Sequence, residues 1–244
     1  MPTTNEVLKR KVQGNSAAVI FLTAVAYGML MTSIVDGIVW ERMSGIKHIQ
    51  MISGMDRLAY WVANFIVDLI QVELIVLVSV LAFYLAGLQY TTSWIIYMLF
   101  PVASIPLTYV TAFFFASESA AQTGTIFMNF GSILFGSTLV YYLRFIKEWE
   151  VIGDLLNDIL KIMPSYTLGA SIYFDASIGD LVEFREATLG DGRPLTTDPW
   201  VLENVYGDIL SYVIHFFFWS LVLACIELGV EKQIKDFLFK LNSR

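Results

Sequence analysis

Five apolar stretches dominate the sequence, and each is long enough to cross a bilayer as a helix. They cover residues 16–40, 58–87, 93–116, 122–145 and 209–229. A hydrocarbon core of about 30 Å needs about 20 helical residues, because an α-helix rises about 1.5 Å per residue. A soluble domain would not carry 57% hydrophobic and only 15% charged residues over a length of 244. The sequence therefore predicts an all-α, polytopic transmembrane helical bundle with about five spans.

Basic residues in the short loops predict the orientation of this bundle. An odd number of spans places the first loop and the C-terminal segment on the same side, and both are basic. Their charges are Arg42, Lys47 and Arg57 in the first loop and Lys232, Lys235, Lys240 and Arg244 at the end. Positive charge in short loops marks the cytosolic side, so the N-terminus and the acidic segment 146–207 are expected outside. Lys9, Arg10 and Lys11 oppose this orientation unless a large external domain precedes residue 1, because charges on long translocated segments count for little.

This topology divides the chain into three parts. Residues 1–15 are interpreted as the end of an external segment, 16–230 as the transmembrane domain and 231–244 as a cytosolic linker. Within the acidic segment, an amphipathic pattern runs to Met163, stops at Pro164 and resumes as a second short helix. Either a helical hairpin dipping into the outer leaflet or a surface helix packed on the outer face fits this pattern. Residues 183–199 are rich in Gly, Asp, Thr and Pro and are predicted to form a solvated loop.

A polar segment, 41–56, separates the first two spans. Its apolar residues recur at every third position: Met43, Ile46, Ile49, Ile52 and Met55. This pattern predicts an amphipathic helix along the membrane surface, with its polar face offered to water or to a partner. An ordinary cytosolic turn between two spans is the alternative.

Polar residues inside the spans are costly and require an explanation. Tyr60, Asn64, Asp68 and Gln71 follow each other at helical spacing, which places them on one face of the second span, turned towards other helices. This intramembrane polar patch either touches a lipid head group or joins helices through hydrogen bonds of about 1 kcal/mol each. Glu227, near the end of the last span, is interpreted as an anchor that reaches water.

The order of several short motifs resembles the membrane domains of ATP-binding cassette transporters of subfamily A, the lipid exporters. The resemblance covers nearly the whole chain and is strongest to the second of the two membrane domains in such transporters. After Leu168-Gly169 the family often has a basic residue, and Ala170-Ser171 follow here. The motifs are Glu41-Arg42, Lys47-His48-Ile49-Gln50, Ser53-Gly54, Tyr60-Trp61, Asn64-Phe65, Asp68, Pro106-Leu107, Phe113-Phe114-Phe115, Pro164, Leu168-Gly169 and Trp200.

The resemblance implies that the chain forms half of a lipid translocation pathway and that 41–56 is a coupling helix docking on a nucleotide-binding domain. Charge reversal at Arg42 or Lys47 is then expected to uncouple ATP hydrolysis from transport. The expected partners are a membrane lipid, a nucleotide-binding domain and the other membrane domain, with no nucleic acid. The docking residues implied are Glu41, Arg42, Lys47, His48, Gln50, Met51, Ser53 and Gly54.

ATP and Mg are expected in absent nucleotide-binding domains, because the sequence contains no GxxxxGK[ST] phosphate loop. A family membrane domain has one more helix and a large external domain before the first residue, so the chain is expected to be part of a longer protein. The chain is expected to belong to a multi-pass integral membrane protein of the plasma membrane or of endolysosomal membranes.

Two classes of function other than a transporter domain are compatible with the sequence. With two histidines and one cysteine, the sequence holds no metal site of ordinary spacing and no catalytic constellation. A membrane-embedded enzyme would have Asp68 and Glu73 as its acids, and a polytopic membrane protein outside the ABC class is the remaining alternative. A nucleotide-binding cassette encoded directly after Arg244 would decide for the transporter.

The predicted orientation is tested by cysteine accessibility. In the full-length protein, Asp191→Cys should react with a membrane-impermeant maleimide added outside the cell, because 146–207 is predicted to be external. Ser44→Cys in the first loop should react only after permeabilisation, and the parent protein measures the background from Cys225. Labelling at position 191 from the cytosolic side alone would contradict the topology.

Overall fold

The computed structural model describes residues 4–85, 93–146, 148–172 and 205–229, with residues 4–20 described as helical backbone only. The predicted solvated loop at 183–199 and the predicted linker at 231–244 lie outside the described residues. Within the described part, the backbone is helical with no strand, which confirms the predicted all-α bundle. The helices are α1 (Thr4–Met43), α2 (Ile46–Ile52), α3 (Arg57–Leu85), α4 (Ser93–Ala112), α5 (Glu118–Gly131), α6 (Ser137–Phe145), α7 (Glu150–Leu160), α8 (164–172) and α9 (Val205–Glu227).

Five of the described helical segments are long and apolar enough to cross a membrane, as the sequence predicts. The fourth contains a π-helical turn, Ser132–Gly136, that joins α5 to α6. The five segments are Phe21–Met43, Arg57–Leu85, Trp94–Ala112, Glu118–Arg144 and Tyr206–Glu227.

Helix α4 is the centre of the bundle. It is the most buried of the five spans and packs against α1, α3 and α9. Phe100, Ala103 and Ile105 are fully buried on it, and the helix continues through Pro101 and Pro106. Helix α3, in contrast, buries only four of its 29 residues, so most of its apolar surface faces outwards.

Helix α1 packs along α5, where Gly28 lies directly against the backbone of Phe130. A Cβ atom at Gly28 would stand 3.3 Å from the Cα atom of Phe130. A small residue at this position therefore allows the two backbones to approach closely, as in other membrane helix pairs.

Helices α7 and α8 form a hairpin, which is one of the two arrangements that the sequence leaves open. The predicted extent of the first helix is wrong, because α7 ends at Leu160, residues 161–163 form the turn and Pro164 is the first residue of α8. Helix α8 is almost wholly buried, whereas α7 leaves apolar side chains exposed, including Val151 and Leu155. Burial raises the pKa of Tyr166 on α8, so its hydroxyl keeps its proton and donates to Asn157 Oδ1 on α7 at 2.9 Å. The hairpin is therefore closed by a polar contact between its two arms.

Buried polar contacts attach this hairpin to the spans. Asp208, at the start of α9, is 6% exposed and lies 3.1 Å from Lys161 Nζ in the hairpin turn. The hydroxyl of Ser171 on α8 donates to the other carboxylate oxygen of Asp208 at 2.5 Å. Ser165, also on α8, donates to Asn129 Oδ1 on α5. These bonds satisfy polar groups that would otherwise be buried without partners.

Gly169 fits α8 against the π-helical turn and leaves no room for a side chain. A Cβ atom there would stand 2.5 Å from Ile133 O and 2.5 Å from Ser137 Oγ. Gly169→Ala should therefore destabilise the protein by about 1–3 kcal/mol, because the backbone of the π-helical turn would have to move. Gly37→Ala in α1 is the matched control, since nothing lies within 4 Å of its added methyl group.

The measurement is the apparent unfolding temperature of the purified full-length protein in detergent. We expect a clear decrease for Gly169→Ala and none for Gly37→Ala. Equal unfolding temperatures for the two variants would show that α8 does not pack on the π-helical turn as described.

Candidate functional site

The segment between the first two spans folds into a short helix held between two glycine turns. Gly45 (φ 76°) and Gly54 (φ 98°) adopt left-handed conformations, which end a helix and redirect the chain. The predicted helix over 41–56 is therefore wrong in its extent. Glu41 and Arg42 belong to the last turns of α1, and α2 itself has seven residues.

Arg42 binds the connection between α4 and α5. Its Nη1 donates to Ala112 O at 2.8 Å, and its Nη2 donates to Phe115 O. Both acceptors lie where the turn leaves backbone carbonyl groups without helical partners. One guanidinium thus ties the end of α1 to the α4–α5 turn.

Lys47 on α2 binds the end of α9. Its Nζ lies 2.8 Å from Glu227 Oε2, and the two side chains are only 17% and 15% exposed. The same ammonium group lies 4.4 Å from the ring centroid of Trp61, and the rings of Tyr60 and Phe113 are within 6 Å. Such cation–π contacts add about 0.5–2 kcal/mol each, depending on desolvation. Lys47 therefore connects α2 with α3, α9 and the α4–α5 turn.

Arg57, the first residue of α3, binds α9 as well. Its Nη1 donates to the main-chain oxygen of Glu227 at 2.9 Å. Together Arg42, Lys47 and Arg57 attach the end of α1, the helix α2 and the start of α3 to the α4–α5 turn and to the end of α9, which are distant in sequence. We call these three residues the basic clamp.

The side chains that α2 leaves exposed are different from those expected. Ile49 and Ile52 are 66% and 72% exposed, and His48, Ser53 and Gly54 are exposed beside them. Glu41, Arg42 and Lys47 turn inwards, while Gln50 and Met51 are half-buried. The sequence predicts a polar face offered to water or to a partner; in the structure His48 is exposed, while Glu41, Arg42 and Lys47 find their partners within the bundle.

The intramembrane polar patch is only partly brought together. The Tyr60 hydroxyl donates to Glu41 Oε2 at 2.5 Å, and Asp68 Oδ2 accepts from the Tyr109 hydroxyl at 2.5 Å. Asn64 is half-buried on the same face of α3. Gln71 is exposed, so its expected position towards other helices is wrong. The two hydrogen bonds join α3 to α1 and to α4, so these members of the patch join helices.

Sequence reasoning missed three partners of the site: Tyr109, Phe113 and the side chain of Glu227 as the counter-ion of Lys47. Glu227 at the end of the last span and Lys47 just after the first indicated that these two charges could meet. No local spacing could pair them, because 180 residues separate Lys47 from Glu227.

The fold and the site together define a multi-pass integral membrane protein with an interfacial helix fixed to its spans. The family model described as "ABC-2 family transporter protein" matches residues 2–226. The chain belongs to this family and is a membrane domain of an ABC transporter rather than a nucleotide-binding domain.

Curated relatives agree with this assignment. ABC transporter A family member 4 of Dictyostelium discoideum is 28% identical over 60% of this chain and 10% of its own length. ATP-binding cassette sub-family A member 2 of Homo sapiens is 24% identical over 64% and 7%, respectively. The retinal-specific phospholipid-transporting ATPase of Bos taurus is 25% identical over 82% and 9%. The resemblance to subfamily A is confirmed, and the chain spans at most about a tenth of the length of these three relatives.

The pairing of Lys47 with Glu227 is testable by charge exchange in the full-length protein. Lys47→Glu and Glu227→Lys should each destabilise it by about 3–5 kcal/mol. The contact is largely buried, and each variant leaves two like charges facing one another. The double variant restores opposite charges and should recover much of the loss. The apparent unfolding temperature in detergent measures this coupling.

Arg144 and Asp154 provide the control pair for the exchange. They also lie 2.8 Å apart, but both side chains are 53% exposed, so exchanging them should change stability little. Additive losses in the Lys47 and Glu227 double variant, with no recovery, would contradict the pairing.

Proposed function

We propose that this chain is the membrane-spanning domain of an ATP-driven lipid transporter, forming half of the lipid pathway and docking a nucleotide-binding domain through α2. The single observation that carries the docking proposal is the basic clamp. Lys47 fixes α2 to the end of α9, while Arg42 and Arg57 fix the neighbouring ends of α1 and α3, which is what a coupling element requires.

The docking surface that we propose is His48, Ile49 and Ile52, with Ser53 and Gly54 at its edge. Exposed apolar side chains on a helix outside the hydrocarbon core favour a protein partner, because burying them there removes apolar area from water. Arg42 and Lys47 are not part of this surface, because their side chains are bonded to the α4–α5 turn and to Glu227. Their role in coupling is therefore to transmit displacement rather than to contact the partner.

Movement of α2 would reach the spans through particular bonds. A displacement of α2 is transmitted by Lys47 to the end of α9, while Arg42 transmits movement of the end of α1 to the α4–α5 turn. Tyr60 and Tyr109 extend the connection along α3 to the central helix α4. ATP hydrolysis in an attached domain could in this way change the packing of the spans, with ATP and Mg bound in that domain.

A lipid substrate is supported by the exposed apolar face of α3 and by the names of two relatives. Leu74, Val78 and Leu81 on α3 are each more than half exposed, so this helix offers an apolar surface on which acyl chains can pack. Two relatives carry names that call them phospholipid-transporting ATPases. Charged side chains inside the spans are few, which does not suit a path for a hydrophilic solute.

The docking surface is tested by placing charge on it. In the full-length transporter, Ile49→Asp and Ile52→Asp should leave basal ATP hydrolysis in place and lower the rate of lipid translocation by about tenfold or more. The reason is that a carboxylate in a protein interface must be desolvated. The assay is lipid translocation in liposomes measured beside ATP turnover. Ile159→Asp on α7 is the matched control, since Ile159 is also exposed but lies in the hairpin.

Two outcomes would contradict the proposal. A cross-linker attached at position 49 that reaches only lipid, and never the nucleotide-binding domain, would exclude α2 as the docking helix. Stimulation of ATP turnover by a water-soluble solute, with none across a panel of lipids, would exclude the substrate class.

A further inference from the structure

A basic cavity lies between α2 and the ends of three spans. Its volume is about 500 Å³, within the range of about 300–1,000 Å³ typical of small-molecule sites. Charged and apolar side chains line it together. The lining residues are Arg42, Lys47, His48, Met51, Ile52, Arg57 and Glu227.

Positive charge in this cavity is not balanced by its own carboxylate. Among the residues that the structure describes, Glu227 is the only acidic one in the lining, and its side chain is paired with Lys47 at 2.8 Å. Arg42 and Arg57 donate instead to main-chain oxygens, which carry no net charge. Two guanidinium charges therefore have no counter-ion within the described lining.

The acidic residues adjacent in sequence are occupied elsewhere. Glu41 accepts the hydroxyl of Tyr60 at 2.5 Å. Asp56 caps α3 by accepting from the backbone N–H groups of Leu58 and Ala59 at 3.0 and 3.3 Å. Neither carboxylate belongs to the cavity lining, so neither takes the place of an anionic ligand.

Arg57 has the geometry to bind a phosphate group. It is exposed and one of its N–H groups is used by Glu227 O, which leaves other donors of the planar guanidinium for a ligand. Such a guanidinium matches two phosphate oxygens at once. Arg42 adds a second positive charge whose position is fixed by its bonds to the α4–α5 turn.

The position of the cavity points to a ligand from the membrane. Arg42 lies near the end of the first span, Arg57 begins the second and Glu227 ends the fifth, so the cavity lies at the level of the lipid head groups. Met51 and Ile52 are the apolar part of its lining. A free phosphate ion would make no use of these side chains, whereas a glycerolipid would.

We propose that this cavity binds the phosphate group of an anionic phospholipid from the leaflet that α2 borders. Arg57 donates to the phosphate oxygens, Arg42 contributes the second charge, and Met51 contacts the glycerol backbone. A phosphate monoester is the favoured head group, because its charge of up to −2 matches the two unbalanced guanidinium charges. The proposal goes beyond lipid transport, since it requires neither ATP hydrolysis nor a docked domain.

The test is a titration of the full-length protein in a non-ionic detergent with dioctanoyl phosphatidic acid. Saturable binding should raise the apparent unfolding temperature, because a ligand that binds only the folded state stabilises it. Dioctanoyl phosphatidylcholine tests the need for net negative charge, and glycerol phosphate tests the need for acyl chains. We expect both to bind more weakly than phosphatidic acid.

Arg57→Gln should weaken phosphatidic acid binding about fivefold, as expected for one basic residue near an anionic lipid. Arg57→Lys keeps the charge but loses the planar fork, so its affinity should lie between those of the parent and Arg57→Gln. Arg144→Gln is the control, because Arg144 is exposed and lies at the opposite end of its span from the α4–α5 turn.

Three results would overturn the proposal. Binding of phosphatidic acid by Arg57→Gln as tight as that of the parent protein would exclude Arg57 from the site. Equal affinity for glycerol phosphate would show a soluble-anion site instead of a lipid site. Loss of nucleotide-binding-domain affinity in Arg57→Gln, with phosphatidic acid binding unchanged, would assign the cavity to a protein interface.

Discussion

The hydrocarbon core offers no water to polar groups, and this constraint selects which helices of the bundle become neighbours. The Tyr27 hydroxyl pairs with Ser79 Oγ at 2.8 Å, which joins α1 to α3. Asp68 accepts from Tyr109 at 2.5 Å, which joins α3 to the central helix α4. Each such bond contributes only about 1 kcal/mol. An alternative packing that separated these groups would leave them without partners at a greater cost.

The same constraint explains the α7–α8 hairpin. Asp208 is buried at the start of α9, where Lys161 and Ser171 supply its partners. Helix α8 can be buried among the spans because Gly169 lets its backbone approach the π-helical turn. The hairpin is therefore part of the bundle, held by polar contacts and by close packing, rather than a loop resting on its surface.

Much of this fold could be predicted because its signals are local. The five spans follow from apolar runs of sufficient length, and Pro164 predicts a boundary between two helices because proline is tolerated at the start of a helix but not inside one. The candidate site was harder, since helical spacing gives the face on which a residue lies but not what that face meets. Gln71 shares helical spacing with Asp68, and yet it is exposed. Arg42 and Lys47 were expected at the surface and instead bind the α4–α5 turn and Glu227.

By itself, the sequence determined that this chain is a helical membrane protein of an ABC transporter family, because hydrophobic length and motif order are properties of the linear chain. Only the tertiary structure decided that α2 exposes Ile49 and Ile52 while the basic clamp turns inwards. The physical reason is that an ion pair at the edge of the hydrocarbon core forms where geometry brings two charges together. Lys47 and Glu227 meet only after the first and last spans have packed around the same central helices.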